Sequence, residues 1–304
     1  MKLDKILVTG ASGCLGYPLA NQLAQEGRTV VGVDIVPARG PAKFHSVSGD
    51  VCDPHLIYGL FNTYGFDAVV HCGGISGQMV APNEPYRNCQ VNVFGTVHLL
   101  EAARQHEVAH FVYCSSQAAY GDATNQRILE NTLFQPTTVY GATKAACDLL
   151  ARRYRVQHGL NTTALRIGRV YGPGRRTGSL ISSMLDATMS GRPLRLPATG
   201  GRRIQYVYDA DVVSALYLAL NAGKLPNPAY NVSGPGSYSD EEIAAMIRAL
   251  VPETDITFES SNVKGETVVG APLDYSAAQR DYGYEPKYDM ARGLTAYVEW
   301  FRNK

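Results

Sequence analysis

Short apolar runs alternate with amphipathic stretches along the first half of the chain. The runs are nearly continuous and rich in β-branched residues, whereas the stretches carry apolar residues at helical spacing. The runs read KILVTG, TVVGVDI, DAVVHCGG and HFVYCSS, and the stretches read YPLANQLAQEG and VNVFGTVHLLEAARQHE. Parallel strands covered on both faces have this character, so the pattern predicts an α/β fold with a doubly wound parallel sheet. A helix ending at Gly159 and a strand reaching Tyr171 continue the alternation.

The pattern changes after Tyr171. Segments rich in Gly, Pro and Arg, such as SGRPLRLPATGGRR, interrupt the strand and helix alternation. We therefore predict a larger sheet domain formed by 1–171 plus 204–234 and a smaller C-terminal substrate-binding domain formed by 172–203 plus 235–304. The segment 204–234 is expected to return to the sheet through QYVYDADVVSALYLALNAG and YNVSG.

Composition and charge exclude several classes of function. Of the 304 residues 45% are hydrophobic, and the net charge is +1. A near-neutral chain without blocks of like charge lacks the basic surface that nucleic-acid binding needs, so no nucleic-acid partner is expected. No apolar run approaches the roughly 20 residues of a membrane span, and a strand pattern begins at once in MKLDKILVTG. We therefore expect neither a membrane span nor a signal peptide.

The cysteine pattern points to a reducing compartment. The chain has six cysteines, with no C-x-x-C pair and no histidine cluster beside them. A disulfide framework or a metal site is therefore not expected, and free thiols in apolar surroundings behave as small hydrophobic groups. Cytoplasmic localisation is the expectation for such a chain.

Three glycines follow the first predicted strand. Gly10, Gly13 and Gly16 in TGASGCLG open the first predicted helix, where the absence of side chains lets backbone N–H groups approach a pyrophosphate. Asp34 ends the second strand, where a carboxylate accepts hydrogen bonds from adenosine ribose and repels a 2′-phosphate. The pattern predicts a site that prefers NAD to NADP, although Arg39 in the next loop leaves dual use open. An ordinary turn role for Asp34 is the alternative.

A tyrosine and a lysine share one face of a predicted helix. Tyr140 and Lys144 in VYGATKAACDLL are four residues apart, so the ammonium group can lie near the phenol. A phenol whose unperturbed pKa is about 10 needs such a neighbour to act as a base near neutrality. Upstream, the strand HFVYCSS ends in Ser115 and Ser116, which can hydrogen-bond a substrate oxygen or simply cap the chain. The carboxyl ends of parallel strands are where such sheets place their sites.

These residues resemble the extended short-chain dehydrogenase/reductases, the NAD-dependent epimerase/dehydratase group, over essentially the whole chain. TGASGCLG resembles the family's nucleotide loop, GDVCD its adenine-contacting turn, HCGG its H-[LA]-A-A segment and VNVFGT its N-x-x-G-T helix start. SSQAAYG resembles S-S-x-x-V-Y-G, and DYSAAQRDYGYEPKYDMARGL resembles the closing segment. The resemblance implies a Rossmann domain that binds NAD, with Ser116, Tyr140 and Lys144 as the catalytic triad.

The resemblance also implies the reaction and its residues. Tyr140 as phenolate would remove the proton of a substrate hydroxyl while hydride passes from the same carbon to nicotinamide, and Lys144 would hold the nicotinamide ribose. The expected cofactor-binding residues are Gly10, Ser12, Gly13, Cys14, Leu15, Gly16, Asp34, Asp50, Val51, Cys72, Gly73, Gly74, Asn92, Tyr140, Lys144 and Val170. The expected substrate-binding residues are Ser76, Gln78, Ser116, Gln117, Tyr140, Arg169, Arg175 and Arg203.

Three segments of the chain depart from the family's pattern. Dehydratases carry Asp-Glu after the catalytic hydroxyl residue, whereas Gln117 and Ala118 stand here, so elimination of water is not expected. Nucleotide-sugar epimerases carry Asn where this chain has Arg169, and Arg where it has Ile204, with Arg203 one position away. Both of these changes touch the diphosphate clamp.

The arginines favour a small anionic, sugar-like substrate. Arg169, Arg175 and Arg176 follow the sixth predicted strand, and guanidinium groups suit carboxylate, sulfonate or phosphate, although they can equally be solvated or tie the two domains together. An NAD-dependent dehydrogenase is the first hypothesis, a nucleotide-sugar (UDP-hexose) 4-epimerase with tightly bound NAD the second, and a non-catalytic dinucleotide sensor the third. Apolar stripes on the helices at 92–106 and 141–158 resemble the family's dimer interface, so a homodimer is expected.

Overall fold

The computed structural model describes residues 3–76, 83–122, 127–175, 177–198, 202–259 and 271–303. The first part contains β1 (Lys5–Thr9), α1 (Gly16–Gln25), β2 (Thr29–Asp34), β3 (His45–Ser48), α2 (Pro54–Tyr64), β4 (Ala68–His71), α3 (Pro85–Cys89), a π-helical turn (Gln90–Phe94), α4 (Gly95–Gln105), β5 (His110–Ser116), a 3-10 turn (Gln117–Ala119), α5 (Val139–His158) and β6 (Thr162–Ile167). The rest contains β7 (Arg169–Tyr171), α6 (Leu180–Met189), β8 (Leu194–Pro197), β9 (Arg203–Tyr208), α7 (Asp209–Asn221), β10 (Ala229–Val232), β11 (Ser237–Ser239), α8 (Asp240–Leu250), β12 (Ile256–Glu259), α9 (Ser276–Tyr282) and α10 (Met290–Arg302).

Seven strands form the main sheet in the order β10-β6-β5-β4-β1-β2-β3. Every neighbouring pair is parallel. Separate apolar clusters cover the two faces, one with residues of α1 and α7 and the other with residues of α2, α4 and α5. The prediction of a doubly wound parallel sheet is therefore confirmed. The strand order reverses between β1 and β4, and sheets of this kind bind ligands beside such a point.

The small sheets differ from the expected arrangement of 204–234. Helix α7 and strand β10 do join the main sheet, but β9 pairs with β7 and β11 in a separate three-stranded sheet. The expectation that QYVY returns to the main sheet is therefore wrong. The alternation of apolar and polar side chains in a strand does not specify which sheet the strand joins. The division into 1–171 plus 204–234 and 172–203 plus 235–304 stays a prediction.

The third apolar cluster lies around the small sheets. It joins α6, α8 and α10 through side chains such as Leu185, Ile247 and Leu294, each 0% exposed. The carboxylate of Asp211 on α7 accepts the backbone N–H groups of Lys287 and Tyr288 at 2.8 and 3.0 Å, which fixes the start of the C-terminal helix. None of the described helices is long and apolar enough to cross a membrane.

Candidate active site

A cavity of about 990 Å³ opens at the carboxyl ends of the main-sheet strands. One half is lined by the glycine loop after β1 and by the ends of β2 and β4. The other half is lined by residues around β7 and β9 and by the start of α6. The cavity thus connects the point where the strand order reverses to the small sheets, the position that α/β sheets use for ligands.

Two glycines of the loop, Gly10 and Gly16, are packed so closely that a Cβ has no room at either position. Gly10 adopts a φ of 67°, and a Cβ there would lie 2.7 Å from the nitrogen of Gly73. A Cβ on Gly16, the first residue of α1, would lie 2.2 Å from the carbonyl oxygen of Gly10. Gly13 closes the turn by donating its N–H to that same carbonyl at 3.0 Å. This cradle fits a pyrophosphate held by backbone N–H groups at the start of a helix.

Asp34 lies where β2 meets the glycine loop. Its carboxylate accepts the Ser12 N–H at 2.9 Å and the Val36 N–H at 3.2 Å, which hold it at the edge of the cavity. Arg39 lines a smaller cavity of about 320 Å³ instead, with its guanidinium 4.8 Å from the centroid of the Tyr17 ring. The carboxylate, and not this arginine, therefore faces the position expected for adenosine ribose.

The turn after β3 contributes Asp50 and Val51. Both line the cavity, and the Asp50 carboxylate accepts the Cys52 N–H at 2.9 Å. Val51 is 7% exposed and packs against Gly95, where a Cβ would lie 2.6 Å from Val51 Cγ2. This contact sets the distance between the turn and the start of α4.

A buried hydrogen-bond chain supports the loop after β4. Gly73 N–H donates to Thr9 Oγ1 at 3.1 Å, and Thr9 Oγ1 lies 2.6 Å from His71 Nδ1. On the other side of the ring, His71 Nε2 lies 3.0 Å from Thr96 Oγ1, which donates to the Asn92 carbonyl at 2.5 Å. Burial, with the nearby Lys144 charge, lowers the pKa of His71 to about 3, so the ring is neutral. A neutral ring that accepts at Nδ1 and donates at Nε2 completes the chain.

Asn92 lies beneath the cavity and not on its wall. Its side chain accepts the Ile75 N–H at 2.8 Å and donates to the Ile75 carbonyl at 3.2 Å and to Thr143 Oγ1 at 3.0 Å. The π-helical turn Gln90–Phe94 carries it. The structure thus gives Asn92 a role in joining the loop after β4 to α5, whereas the sequence predicted contact with the cofactor.

Ser116, Tyr140 and Lys144 come together on one wall of the cavity. Lys144 is 8% exposed, and its Nζ donates to the Cys114 carbonyl at 2.8 Å and lies 6.0 Å from the centroid of the Tyr140 ring. The Thr138 hydroxyl caps α5 by accepting the Gly141 N–H at 3.0 Å, which places Tyr140 in the first turn. Ser116 Oγ accepts the Ala118 N–H at 3.2 Å, so its own proton is available to a ligand.

The predicted substrate arginines differ in their partners. Arg203 donates to Glu242 Oε1 and to the Ser237 carbonyl, each at 2.7 Å. Arg175 donates to Thr177 Oγ1 at 2.7 Å and to the Val170 carbonyl. These two line the cavity, but their guanidinium groups are already engaged.

Arg169 and Arg202 are exposed, as Arg203 is, and the Arg169 side chain hydrogen-bonds the Tyr206 hydroxyl. Arg169 and Arg202 both line the cavity, and within the described ranges neither forms a salt bridge. Arg202 is not among the substrate residues predicted from the sequence, although it neighbours Arg203. Beside them, the side-chain amide of Gln205 donates to the Gly234 carbonyl and accepts the Leu273 N–H, each at 2.8 Å.

The remaining predicted residues divide into three groups. Cys14, Leu15, Cys72, Gly74, Ser76, Gln117 and Val170 line the cavity. Ser12 is 1% exposed and acts through its hydrogen bond to Asp34. Gln78 and Arg176 lie outside the described residues.

The NAD dependent epimerase/dehydratase family model matches residues 6–233. The chain belongs to this family. The chain is 29% identical to the dTDP-glucose 4,6-dehydratase of Actinoplanes sp. over 321 residues, which cover 98% of each chain. Among solved structures it is similar to MoeE5 in complex with UDP-glucuronic acid and NAD, with a TM-score of 0.87, 29% identity and 98% and 99% of the two chains covered. The UDP-glucose 4-epimerase of Thermotoga maritima has the same fold, with a TM-score of 0.90, 24% identity and the same coverage.

Membership of the NAD dependent epimerase/dehydratase family confirms the resemblance and the NAD prediction. The close-packed glycines and the Asp34 carboxylate at the cavity edge are the groups expected to hold the pyrophosphate and the adenosine ribose of that cofactor. The relatives named above include a dehydratase and an epimerase, so the reaction of this chain has to be argued from its own residues.

Proposed function

We propose that the protein is an NAD-dependent oxidoreductase that removes hydride from a hydroxyl-bearing carbon of a sugar or sugar-acid-like substrate, with Tyr140 as base. The observation that carries this proposal is the convergence of Ser116, Tyr140 and Lys144 on the cavity wall beside the glycine cradle. A phenol, a hydroxyl and an ammonium in one cleft are the groups that proton transfer from an alcohol needs.

Each side chain has one task in this proposal. The Tyr140 phenolate takes the proton of the substrate hydroxyl. The Ser116 hydroxyl donates a hydrogen bond to the same substrate oxygen and so orients it. The Lys144 ammonium, held by the Cys114 carbonyl, stabilises the charge on the phenolate and reaches toward the nicotinamide ribose. NAD, when bound, accepts the hydride. We further propose that the cofactor lies on the glycine-loop side of the cavity and that the substrate lies between Ser76, Gln117 and Arg169.

The substrate is proposed to be anionic because the exposed residues Arg169 and Arg202 line the substrate half and form no salt bridge within the described ranges. A carboxylate or sulfonate would take two parallel hydrogen bonds from a guanidinium group. Elimination of water is not part of the proposal, since Gln117 and Ala118 supply no acid beside Ser116.

A nucleotide-sugar epimerase is the second candidate. MoeE5, at 29% identity, is known in complex with UDP-glucuronic acid, which carries both a diphosphate and a sugar carboxylate. In an epimerase the hydride would return to the opposite face of the sugar, and NAD would not be consumed.

Absorbance at 340 nm separates the two candidates. The protein is mixed with NAD and, in turn, sugars, uronates, other sugar acids and UDP-sugars. NADH formed in proportion to one class of substrate would support the dehydrogenase and identify that class. A UDP-sugar changed in configuration without net NADH would support the epimerase, and no reaction with any class would refute both.

Replacing Asp34 with alanine should weaken the preference for NAD. We expect the ratio of kcat/KM for NAD over that for NADP to fall at least about tenfold, or about 1.4 kcal/mol, because the repulsion of a 2′-phosphate and the ribose contact are both lost. Steady-state kinetics with both cofactors measures this ratio. Arg39→Ala is the matched control, since this side chain lies in the smaller cavity, and a large fall in NADP use there would contradict the assignment.

We propose a homodimer through α3, α4 and α5. The exposed side chains are Tyr86 on α3, Phe94 at the end of the π-helical turn before α4, and Leu149 and Val156 on α5, which are 73%, 56%, 49% and 66% exposed. Helix α5 packs against α3, the π-helical turn and α4. Large exposed apolar side chains on adjoining helices are typical of a surface covered by a partner.

Leu149→Asp should convert the protein to a monomer. A charge buried at the centre of an interface has no partner, so sedimentation velocity should give the mass of one chain where the wild type gives two. Leu133→Asp is the control, because Leu133 is 78% exposed in the loop before α5, away from these helices. A wild-type mass of one chain at every concentration would refute the proposal.

A further inference from the structure

Two thiols lie side by side at the edge of the main sheet. Cys114 Sγ donates to Cys72 Sγ across 3.3 Å. The two cysteines directly follow the paired residues His71 and Tyr113 on the neighbouring parallel strands β4 and β5. Neighbouring strands are about 4.8 Å apart, and residues at equivalent positions point to the same face. A disulfide joins Cα atoms separated by roughly 4.4–6.8 Å, so this register is compatible with one.

Both thiols can be reached from the cofactor cavity. Cys72 and Cys114 line it, between the glycine loop and Lys144. Cys147 is buried and donates to the Asn92 carbonyl, and Cys52 and Cys89 lie outside the residues that form the cavity wall. Cys14 is the third cysteine of the cavity, on the glycine loop.

We propose that Cys72 and Cys114 are a site of oxidative modification, which forms a disulfide when a small two-electron oxidant, a peroxide or a diazene, enters the cavity without NAD. The two S–H bonds break and one S–S bond forms. The two electrons and two protons pass to the oxidant, which reduces hydrogen peroxide to water or a diazene to a hydrazine. A dithiol such as dithiothreitol reverses the reaction by thiol exchange.

The disulfide would disturb both halves of the cofactor site. The two sulfur atoms must move from 3.3 Å to about 2.0 Å apart, and each is attached to a backbone segment with a binding role. Gly10 packs on the Cys72 carbonyl carbon so tightly that a Cβ would lie 2.8 Å from it. The Cys114 carbonyl holds Lys144 Nζ at 2.8 Å. Oxidation is therefore expected to weaken NAD binding, and bound NAD to slow oxidation.

The Cys72 and Cys114 thiols are also expected to react slowly with oxidants. The hydrogen bond with Cys114, together with burial, raises the pKa of the Cys72 thiol well above its ordinary range. Because the thiolate is the reactive form, reaction is expected to be slow compared with an exposed thiol.

Oxidation of the wild-type protein with diamide, with and without saturating NAD, tests the proposal. Without NAD, peptide mapping should link Cys72 to Cys114, and NAD affinity by calorimetry should fall at least about tenfold and return with dithiothreitol. Saturating NAD should reduce the rate of thiol loss several-fold. These readouts do not involve the substrate, so failure of the proposed reaction would leave them unaffected.

Two variants make the result specific. Cys114→Ala should not form the linked peptide, whereas Cys89→Ala should form it at the wild-type rate. A link from Cys72 to Cys14, no linked peptide in the wild type, or full NAD affinity in the linked protein would each overturn the proposal. Mapping of the wild type decides the pairing even where a variant fails to fold.

Discussion

Replacing Tyr140 with phenylalanine is expected to lower kcat by a factor of about 10²–10⁴ and to leave NAD binding intact. The hydroxyl is the only group removed, and the ring keeps its place in the first turn of α5. The Lys144 ammonium keeps its anchor on the Cys114 carbonyl, so the cofactor side of the site is unchanged. Single-turnover kinetics at 340 nm and calorimetric titration with NAD measure the two quantities separately.

Tyr154→Phe is the matched control for that experiment. Tyr154 lies on the same helix, and its hydroxyl donates to Glu101 Oε2 at 3.2 Å, away from the cavity wall. This variant loses the same atom and should turn over at the wild-type rate. Full activity of Tyr140→Phe would remove Tyr140 as the base, and equal losses in both variants would point to a general effect on α5.

Gly10→Ala should abolish useful NAD binding. The added Cβ would lie 2.7–2.8 Å from the backbone of Cys72 and Gly73, and the φ of 67° is itself unfavourable for alanine. These close contacts are all with the peptide group that joins Cys72 to Gly73, so relief of the clash requires the backbone of one of the two loops to move. We expect NAD affinity to fall at least about 100-fold, equal to about 2.7 kcal/mol.

Gly27→Ala separates the clash from the backbone strain. Gly27 has a φ of 85°, and nothing lies within 4 Å of the position that its Cβ would take. Alanine there carries the conformational cost of roughly 1 kcal/mol in stability without touching the cavity. Unfolding in urea should show a larger stability loss for Gly10→Ala, which adds the clash to the strain, and NAD titration should show a loss of affinity in that variant alone. Wild-type affinity in Gly10→Ala would mean that the glycine cradle is not where the pyrophosphate binds.

The sequence predicted the fold correctly for strands whose own hydrophobic pattern indicates the sheet that they join. Strands β1, β2, β4 and β5 are apolar on both faces, and only the interior of a parallel sheet accommodates such strands. Strand β9 has the burial pattern of a strand with an exposed start, and the alternation of its side chains does not specify which sheet it joins. Its true partners, β7 and β11, come from segments on either side of it in the chain, and pairing of that kind leaves no local mark.

The site residues that could be predicted are those whose relative positions are fixed within one loop or one helix. The glycine spacing and the interval between Tyr140 and Lys144 are properties of one loop and one helix, so the sequence contains them directly. The sequence does not show that the Arg203 guanidinium is hydrogen-bonded, because its partner Glu242 lies 39 residues further on. Asn92 is similar, since its bonds to Ile75 and Thr143 span 17 and 51 residues. Only the folded chain distinguishes an arginine free to bind substrate from one that ties two elements together.

The strand order of the main sheet bears on how the protein is made. Strand β10 covers the edge of β6, yet it follows β6 only after the chain has passed through β7, α6, β8, β9 and α7. During synthesis from the N-terminus, β6 therefore remains an open edge until residue 229 has left the ribosome. An open edge strand is a template for pairing with another chain. The nascent protein is thus most exposed to aggregation in this interval, and a fragment ending near residue 171 would keep that edge permanently.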